Sequence, residues 1–368
     1  MSRLAKNNKV LFAEYPFTIK DVVTSLMRKE YDRALRMIGF RSRLSIKQTT
    51  VGSQVYQWIL PPMIPSDFIR NEKIYRLVLH LNSLIYRRSI KKAFRRLDMQ
   101  NIININAYNP SYGYFLAGYL NEKANLYYCY DGINPNHFPK VAEYDKLFSR
   151  KVDSVIVSSD YLKAQKSKLN NKVFTVKNGV DFDSFFKSAK TTPNTSLPKR
   201  IGYIGSIDQR FDLEKVEYAV QNLPDYQFEF TGDLRNEEVK ARLSHYSNVS
   251  FLPPIPPGDV PHLLNSYDAG IIPYVADEMN RNVYPLKINE FLAVGVPVIM
   301  SRFAHLPEFD EYISTASSKE EFSEAILNEI KTDSPARINH RIEFAQSNSW
   351  DKKAMELSNA IIMSLTDI

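Results

Sequence analysis

The chain has 368 residues, 44% of them hydrophobic and 24% charged, which excludes a disordered or fibrous protein and, at about 100–200 residues per domain, points to two globular domains. No apolar run approaches the roughly 20 residues that span a bilayer, and the start MSRLAKNNKVLF lacks the apolar stretch of a secretory signal. The single cysteine, Cys129, excludes an internal disulfide; together these features favour a bacterial-type cytoplasm or its inner face. The net charge of +7 is uneven: residues 1–100 carry 20 Lys and Arg against 7 Asp and Glu, the remainder 28 against 34. A basic amino-terminal part of this kind suits a polyanionic partner, whether anionic lipid, nucleic acid or a phosphorylated substrate.

Strand-like and helix-like segments alternate, the signature of α/β folds with parallel sheets. In the first half, strands are expected at 9–13, 102–106, 126–130, 154–158 and 172–177. Residues 74–97, IYRLVLHLNSLIYRRSIKKAFRRL, read as a helix with Ile74, Leu77, Val78, Leu81 and Ile85 on one face. Arg76, Arg87, Arg88, Lys91, Lys92, Arg95 and Arg96 crowd the rest. That pattern suits either a helix lying on an anionic membrane surface or a core helix with a solvated back.

The strand expected at 126–130 runs into Asp131-Gly132. Ligands of parallel sheets bind beyond the carboxyl ends of strands, so Asp131 is the candidate general base for an acceptor hydroxyl. Asp-Gly is also a common turn pair. A helix is expected at 160–169, and Asn178-Gly179 signals a turn. Asp181-Phe182-Asp183 has the D-x-D spacing of some metal sites. No Ser/His/Asp order or His/Cys metal spacing occurs elsewhere.

Residues 187–199, KSAKTTPNTSLPK, are polar and rich in Ser, Thr and Pro, and read as a linker. The expected division is therefore 1–186, the linker 187–199, 200–347, and a terminal helix 348–368 packing back on the first domain. Strands are expected in the second half at 200–204, 227–231, 249–252, 269–273 and 297–301, with helices at 213–222, 260–266 and 285–294. In the last of these, Pro285 suits the first turn and Gly295 the residue past the end. Ile288, Phe291 and Leu292 share the core face, and Lys287 and Glu290 lie three apart on another. An open helix start with a lysine in its first turn is a place for a diphosphate, and a carboxylate one turn on can take a ribose diol. The same two residues also fit a solvated ion pair.

Residues 282–301, NVYPLKINEFLAVGVPVIMS, resemble the carboxy-terminal signature of the glycosyl transferases group 1 clan of GT-B glycosyltransferases. Members carry two Glu separated by seven residues, then A-x-G-x-P-V-[IV]. Glu290 and Ala293-Val294-Gly295-Val296-Pro297-Val298-Ile299 match, whereas Asn282 stands at the first Glu position. The run P-L-K-I-x-E-F-L-A-x-G is similar to a subgroup that includes teichuronic-acid and exopolysaccharide enzymes. Residues 199–214, 231–233, 248–274, 155–162 and 176–185 resemble further parts of the same clan.

The resemblance implies a GT-B fold, two Rossmann-like domains with parallel sheets facing across a cleft. It implies a transferase that moves a sugar from a nucleotide-diphosphate sugar to a saccharide or lipid-linked acceptor. It places Gly205, Arg210, Leu252, Asn282, Tyr284, Leu286, Lys287, Ile288 and Glu290 at the donor, with Arg210 on the pyrophosphate and the base near Leu252. It makes Asp131 the base of an inverting transfer or a sugar-binding group of a retaining one. It reads D-x-D as an interdomain turn, so neither a metal nor a cofactor is expected. It favours an anionic membrane surface as the partner of helix 74–97, and no nucleic acid. Relatives begin with a strand and glycine loop that have no counterpart before residue 9, so the first sheet is expected to lack a central strand. The competing readings are a GT-B sugar-nucleotide epimerase and a non-catalytic protein that binds membrane or nucleic acid through the basic helix.

Overall fold

In a computed structural model, residues 1–66, 68–107 and 109–366 are described. The chain forms two compact units, Met1–Val176 with Ala354–Ile368, and Lys177–Lys353. The division falls before the polar stretch 187–199 expected to be the linker. That stretch is anchored in the second unit, where the Lys190 N–H donates to the Val294 carbonyl at 3.1 Å and its Nζ to the Tyr267 carbonyl at 2.7 Å.

The first unit contains β1 (Val10–Ala13), β2 (Leu44–Gln48), β3 (Gln54–Trp58), β4 (Ile103–Ala107), β5 (Ala124–Cys129), β6 (Ser154–Val157) and β7 (Val173–Thr175). These make two sheets, not one. One has the order β1-β3-β2, with β1 parallel and β2 antiparallel to β3. The other, β4-β5-β6-β7, is parallel throughout. Among the described residues β1 pairs only with β3 and β4 only with β5, so the two sheets share no strand.

The inner strands read as apolar runs because both faces are covered. Tyr127, Cys129, Val155 and Val157 pack in one cluster, Leu126 and Ile156 in another. Alternation along a strand sends successive side chains to opposite faces. On the second face lie Leu357, Ile361 and Leu365 of the terminal helix Trp350–Leu365. Ser364 Oγ also meets Ser154 Oγ at 2.7 Å. Cys129 is buried, and burial pushes its thiol up to about 11.

The basic helix spans Glu72–Arg96, capped by Asn71, whose side chain accepts from Ile74 N–H at 3.2 Å. Its buried face is Tyr75, Leu79, Asn82, Ile90 and Ala93, a 3.6-residue stripe offset from the expected one. Ile74, Leu77 and Leu81 are instead exposed, by 52%, 56% and 40%. Asn82 decides the register, because its amide holds both Ile64 N–H and Ile64 C=O at 2.8 Å. No helix of the described residues is long and apolar enough to cross a membrane.

The second unit contains β8 (Lys199–Ile204), β9 (Tyr226–Thr231), β10 (Val249–Leu252), β11 (Ala269–Ile272), β12 (Val298–Ser301) and β13 (Ser314–Ala316), in the parallel order β10-β9-β8-β11-β12-β13. Two cores sandwich the sheet. Ile272, Val298 and Met300 face helices Val260–Asn265 and Leu286–Ala293. Ile271 and Ile299 face helices Leu213–Asn222 and Lys319–Thr332. Phe291 lies against Gly270, where an added Cβ would come within 2.5 Å of its ring.

Burial lowers the Lys190 ammonium to about 8, against the opposing pull of Asp268 and Asp333. A folded-state value below the unfolded one of 10.5 means that stability is gained as pH rises from about 8 to about 10.5, where only the unfolded chain holds the proton. The gain approaches ~3 kcal/mol at about 1.4 kcal/mol per unit. Denaturant unfolding of wild type and Lys190→Met at pH 7 and pH 10 checks this: wild type should gain on the variant with pH, and parallel profiles would refute it.

Candidate functional site

In the six-stranded sheet the chain steps from β8 outward to β10, then returns to place β11 on the other side of β8. The order reverses between β8 and β11, and the crevice beyond the carboxyl ends at such a point is where open parallel sheets bind ligands. The backbone is closely set there. Gly205 and Gly232, just past β8 and β9, have φ of +149° and +145°. Gly205 N–H donates to Thr231 C=O at 2.9 Å, and Gly232 N–H to Leu252 C=O at 3.0 Å. A Cβ on Gly232 would sit 2.0 Å from the Gly205 carbonyl oxygen, so no side chain fits. The expected Gly205 and Leu252 thus share one edge of the sheet.

Helix Leu286–Ala293 connects β11 to β12. Pro285 flanks it as N-cap, with φ −70° and ψ 116°, one residue before the first-turn position expected. Proline has no side-chain acceptor, and no side chain caps this end. The helix start therefore presents backbone N–H groups and the positive end of its dipole. Lys287 Nζ and Glu290 Oε2 pair at 2.8 Å, with side chains 31% and 19% exposed. Leu286 is exposed beside them. Gly295, with φ +79°, ends the helix as expected.

Two residues of the expected donor set lie in the core. Ile288 is fully buried, and Tyr284 packs its ring 5.5 Å from Phe309. Their side chains belong to the apolar cluster under the helix, so only their backbone can face a ligand. Arg210, expected on a pyrophosphate, is paired with Asp208: Nε donates to Oδ1 at 2.9 Å and Nη2 to Oδ2 at 2.7 Å. That hydrogen bonding raises the guanidinium; burial pushes Asp208 up, but the bonds from Arg210 outweigh it and leave the carboxyl low. An anion must share Arg210 with Asp208.

Asn282 Nδ2 donates to the Glu278 carbonyl at 2.9 Å. Its Oδ1 is buried without a partner among the described residues, as are Asn280 Oδ1, Asn289 Oδ1, Ser301 Oγ and Glu308 Oε2. Buried polar atoms are nearly always satisfied by protein, water or ligand, so their concentration around this helix marks a polar site. Sequence reasoning missed part of it. Lys177 Nζ pairs with Glu308 Oε1 at 2.7 Å, Asn178 Nδ2 donates to Tyr284 C=O at 3.1 Å, and Asn289 Nδ2 to Asn178 C=O at 3.4 Å. The Asn178-Gly179 turn was the one signal available.

In the first unit, Asp131 lies two residues beyond the carboxyl end of β5 and is exposed. Its Oδ1 accepts from Gly132 N–H at 2.9 Å. Asp181 precedes helix Phe182–Phe186 and accepts from Ser184 Oγ at 2.8 Å. Among the described residues no three His, Cys, Asp or Glu side chains gather as a metal site.

The family described as Glycosyl transferases group 1 matches residues 198–331. TuaH of Bacillus subtilis (strain 168), whose name assigns it to teichuronic acid biosynthesis as a glycosyltransferase, is 35% identical over 160 residues. That match covers 41% of this chain and 40% of the relative's length. Solved structures extend the likeness to the whole fold. Sucrose-phosphate synthase from Thermosynechococcus elongatus has a TM-score of 0.67 at 13% identity, over 98% of this chain and all of that one. A UDP-forming alpha,alpha-trehalose-phosphate synthase from Burkholderia vietnamiensis has 0.65 at 10%, over 97% and 98%. Anabaena Alr3699/HepE, solved with UDP-glucose, has 0.62 at 12%, over 96% and 99%. The chain has the GT-B fold of these structures, and its residues 198–331 are similar to the family described as Glycosyl transferases group 1.

Proposed function

We propose that this protein is a glycosyltransferase that moves a sugar from a nucleoside diphosphate sugar to a saccharide or lipid-linked acceptor in cell-surface polysaccharide or glycolipid assembly. The observation that carries this reading is the group 1 match over 198–331, which brackets both the β8/β11 crevice and helix Leu286–Ala293. The uncapped helix start and Lys287 take the diphosphate, whose negative charge grows as the sugar departs. Glu290 accepts from the ribose hydroxyls, and the unpaired oxygens near Asn282 and Asn289 receive donor hydroxyls. Asp131 takes the acceptor proton. No metal or cofactor takes part.

The solved relative holding UDP-glucose makes uridine nucleotides the first donor class to test. The exposed Ile74, Leu77 and Leu81, on a helix rich in Lys and Arg, support an approach to an anionic membrane surface at its cytoplasmic face. Glu290→Ala should weaken donor binding about tenfold or more, the worth of a charged hydrogen bond. Calorimetry with UDP-sugars, in EDTA and then in magnesium, measures it. Equal affinity in the variant would remove the ribose contact, and binding only with magnesium would remove the metal-free mechanism.

A further inference from the structure

Apart from the crevice of the second unit, the first unit holds a cavity of about 680 Å³ between the turn that follows helix Tyr31–Ile38 and the carboxy-terminal half of helix Glu72–Arg96. Arg41, Arg43, Arg88, Lys92 and Arg96 line it, with Ser42, and none of the described lining residues is Asp or Glu. Its position is set by the fold. Trp58 ends β3 and lies in the wall, with its indole N–H on the buried Ser89 Oγ at 2.9 Å. The cavity thus opens at the carboxyl end of a strand that pairs in parallel with β1, the end at which parallel sheets hold ligands.

The five cations differ in how they are held. Arg43 is fixed by two backbone carbonyls, Arg36 at 3.2 Å and Met37 at 2.8 Å. Arg41 pairs with Asp32 at 2.6 Å, and Arg96 Nη1 meets Ser42 Oγ at 3.1 Å. The side chains of Arg88 and Lys92 make no hydrogen bond or ion pair among the described residues. Arg88, Lys92 and Arg96 follow one another at i, i+4 and i+8, so like charges stack along one helix face, an arrangement that repels itself unless an anion joins them. Planar guanidinium groups and an ammonium around one void suit a tetrahedral oxyanion, which arginine meets with paired N–H donors.

We propose that this cavity binds a phosphate-bearing ligand through Arg88, Lys92 and Arg96, with Arg43 as a fixed wall. The shared chemistry is a phosphomonoester or diphosphate, borne by a soluble molecule or by a lipid headgroup. The site stands on the first unit alone and is independent of the donor reading.

Two probes separate the sources. One is inorganic pyrophosphate, titrated calorimetrically in a phosphate-free buffer. The other is sedimentation with phosphatidylcholine vesicles with or without phosphatidic acid. Each is applied to the full chain carrying Lys287→Gln, which removes the lysine assigned to the donor diphosphate in the second unit: as this background alone, with Arg88→Gln/Lys92→Gln added, and with Lys163→Gln/Lys168→Gln added, which removes equal charge from exposed positions of the first unit. Arg88 and Lys92 are exposed, so their replacement should leave the melting temperature unchanged. At least one probe should bind the background chain and bind it tenfold or more weakly once Arg88→Gln/Lys92→Gln is added, with Lys163→Gln/Lys168→Gln leaving binding unchanged. Pyrophosphate responding this way assigns a soluble ligand, and phosphatidic acid vesicles alone assign a lipid. Binding of neither probe, equal binding with and without Arg88→Gln/Lys92→Gln, or an equal loss with Lys163→Gln/Lys168→Gln would overturn the proposal.

Discussion

Asp131→Asn is expected to lower turnover by about 10²–10⁴-fold, the usual worth of a positioned general base, while donor affinity stays within about twofold of wild type. Asparagine is the informative replacement. Asp131 Oδ1 already accepts the Gly132 N–H at 2.9 Å, and an asparagine Oδ1 can keep that bond, so the turn after β5 is preserved while the basic oxygen is lost. Release of nucleoside diphosphate at saturating donor, beside calorimetric donor binding, reads the two effects separately. Unchanged turnover would reduce Asp131 to a turn residue. A fall in donor affinity instead of turnover would assign the carboxylate to the hydroxyls of the donor sugar.

The largest stability effect is expected at Arg341. Its Nη2 donates to Asp333 Oδ1 at 2.5 Å and to the Gly295 carbonyl at 2.9 Å, with Nε on the same carbonyl at 3.2 Å. The two side chains are only 3% and 5% exposed. Burial lowers the guanidinium, and Asp333 opposes that shift. Removing one partner of such a pair strands the other charge in a low-dielectric setting, which costs about 3–5 kcal/mol. Arg341→Ala should therefore destabilise the second unit by that amount in denaturant unfolding. Arg341→Met with Asp333→Leu should recover most of the loss, because neither buried charge then remains. Gly295 lies just past helix Leu286–Ala293, with its N–H on the Leu292 carbonyl at 3.0 Å, so the single variant should also weaken donor binding. A loss below about 1 kcal/mol, as at exposed pairs, would show that water reaches the site.

How much of this was legible in the sequence depended on whether the causes were local. Ten strands were marked by apolar runs, because β5, β6, β11 and β12 are covered on both faces. The strands missed are those without such runs: β2 and β3, half exposed, and β13, only Ser-Thr-Ala. Lys287 and Glu290 were legible because three residues of helix bring them together. The Lys177–Glu308 and Arg341–Gly295 contacts join distant parts of the chain, and no spacing rule reports them. Helix Glu72–Arg96 shows the same limit. Two apolar stripes compete there, and the choice rests on Asn82 reaching Ile64. The bidentate pair that Arg210 makes with Asp208, two residues before it, was not read from the sequence, because the loop conformation that brings the two side chains together follows no spacing rule.

The chain passes between the two units twice, at Val176/Lys177 and again at Lys353/Ala354. Neither end of the sequence therefore encodes the first unit as one uninterrupted stretch. A fragment cut after Val176 would leave Leu126 and Ile156 without the cover of Leu357, Ile361 and Leu365, and would aggregate. A circularly permuted gene, with residue 368 tethered to residue 1 and new termini at 354 and 176, restores contiguity. It is the dissection that would let the basic cavity of the first unit be studied apart from the crevice of the second.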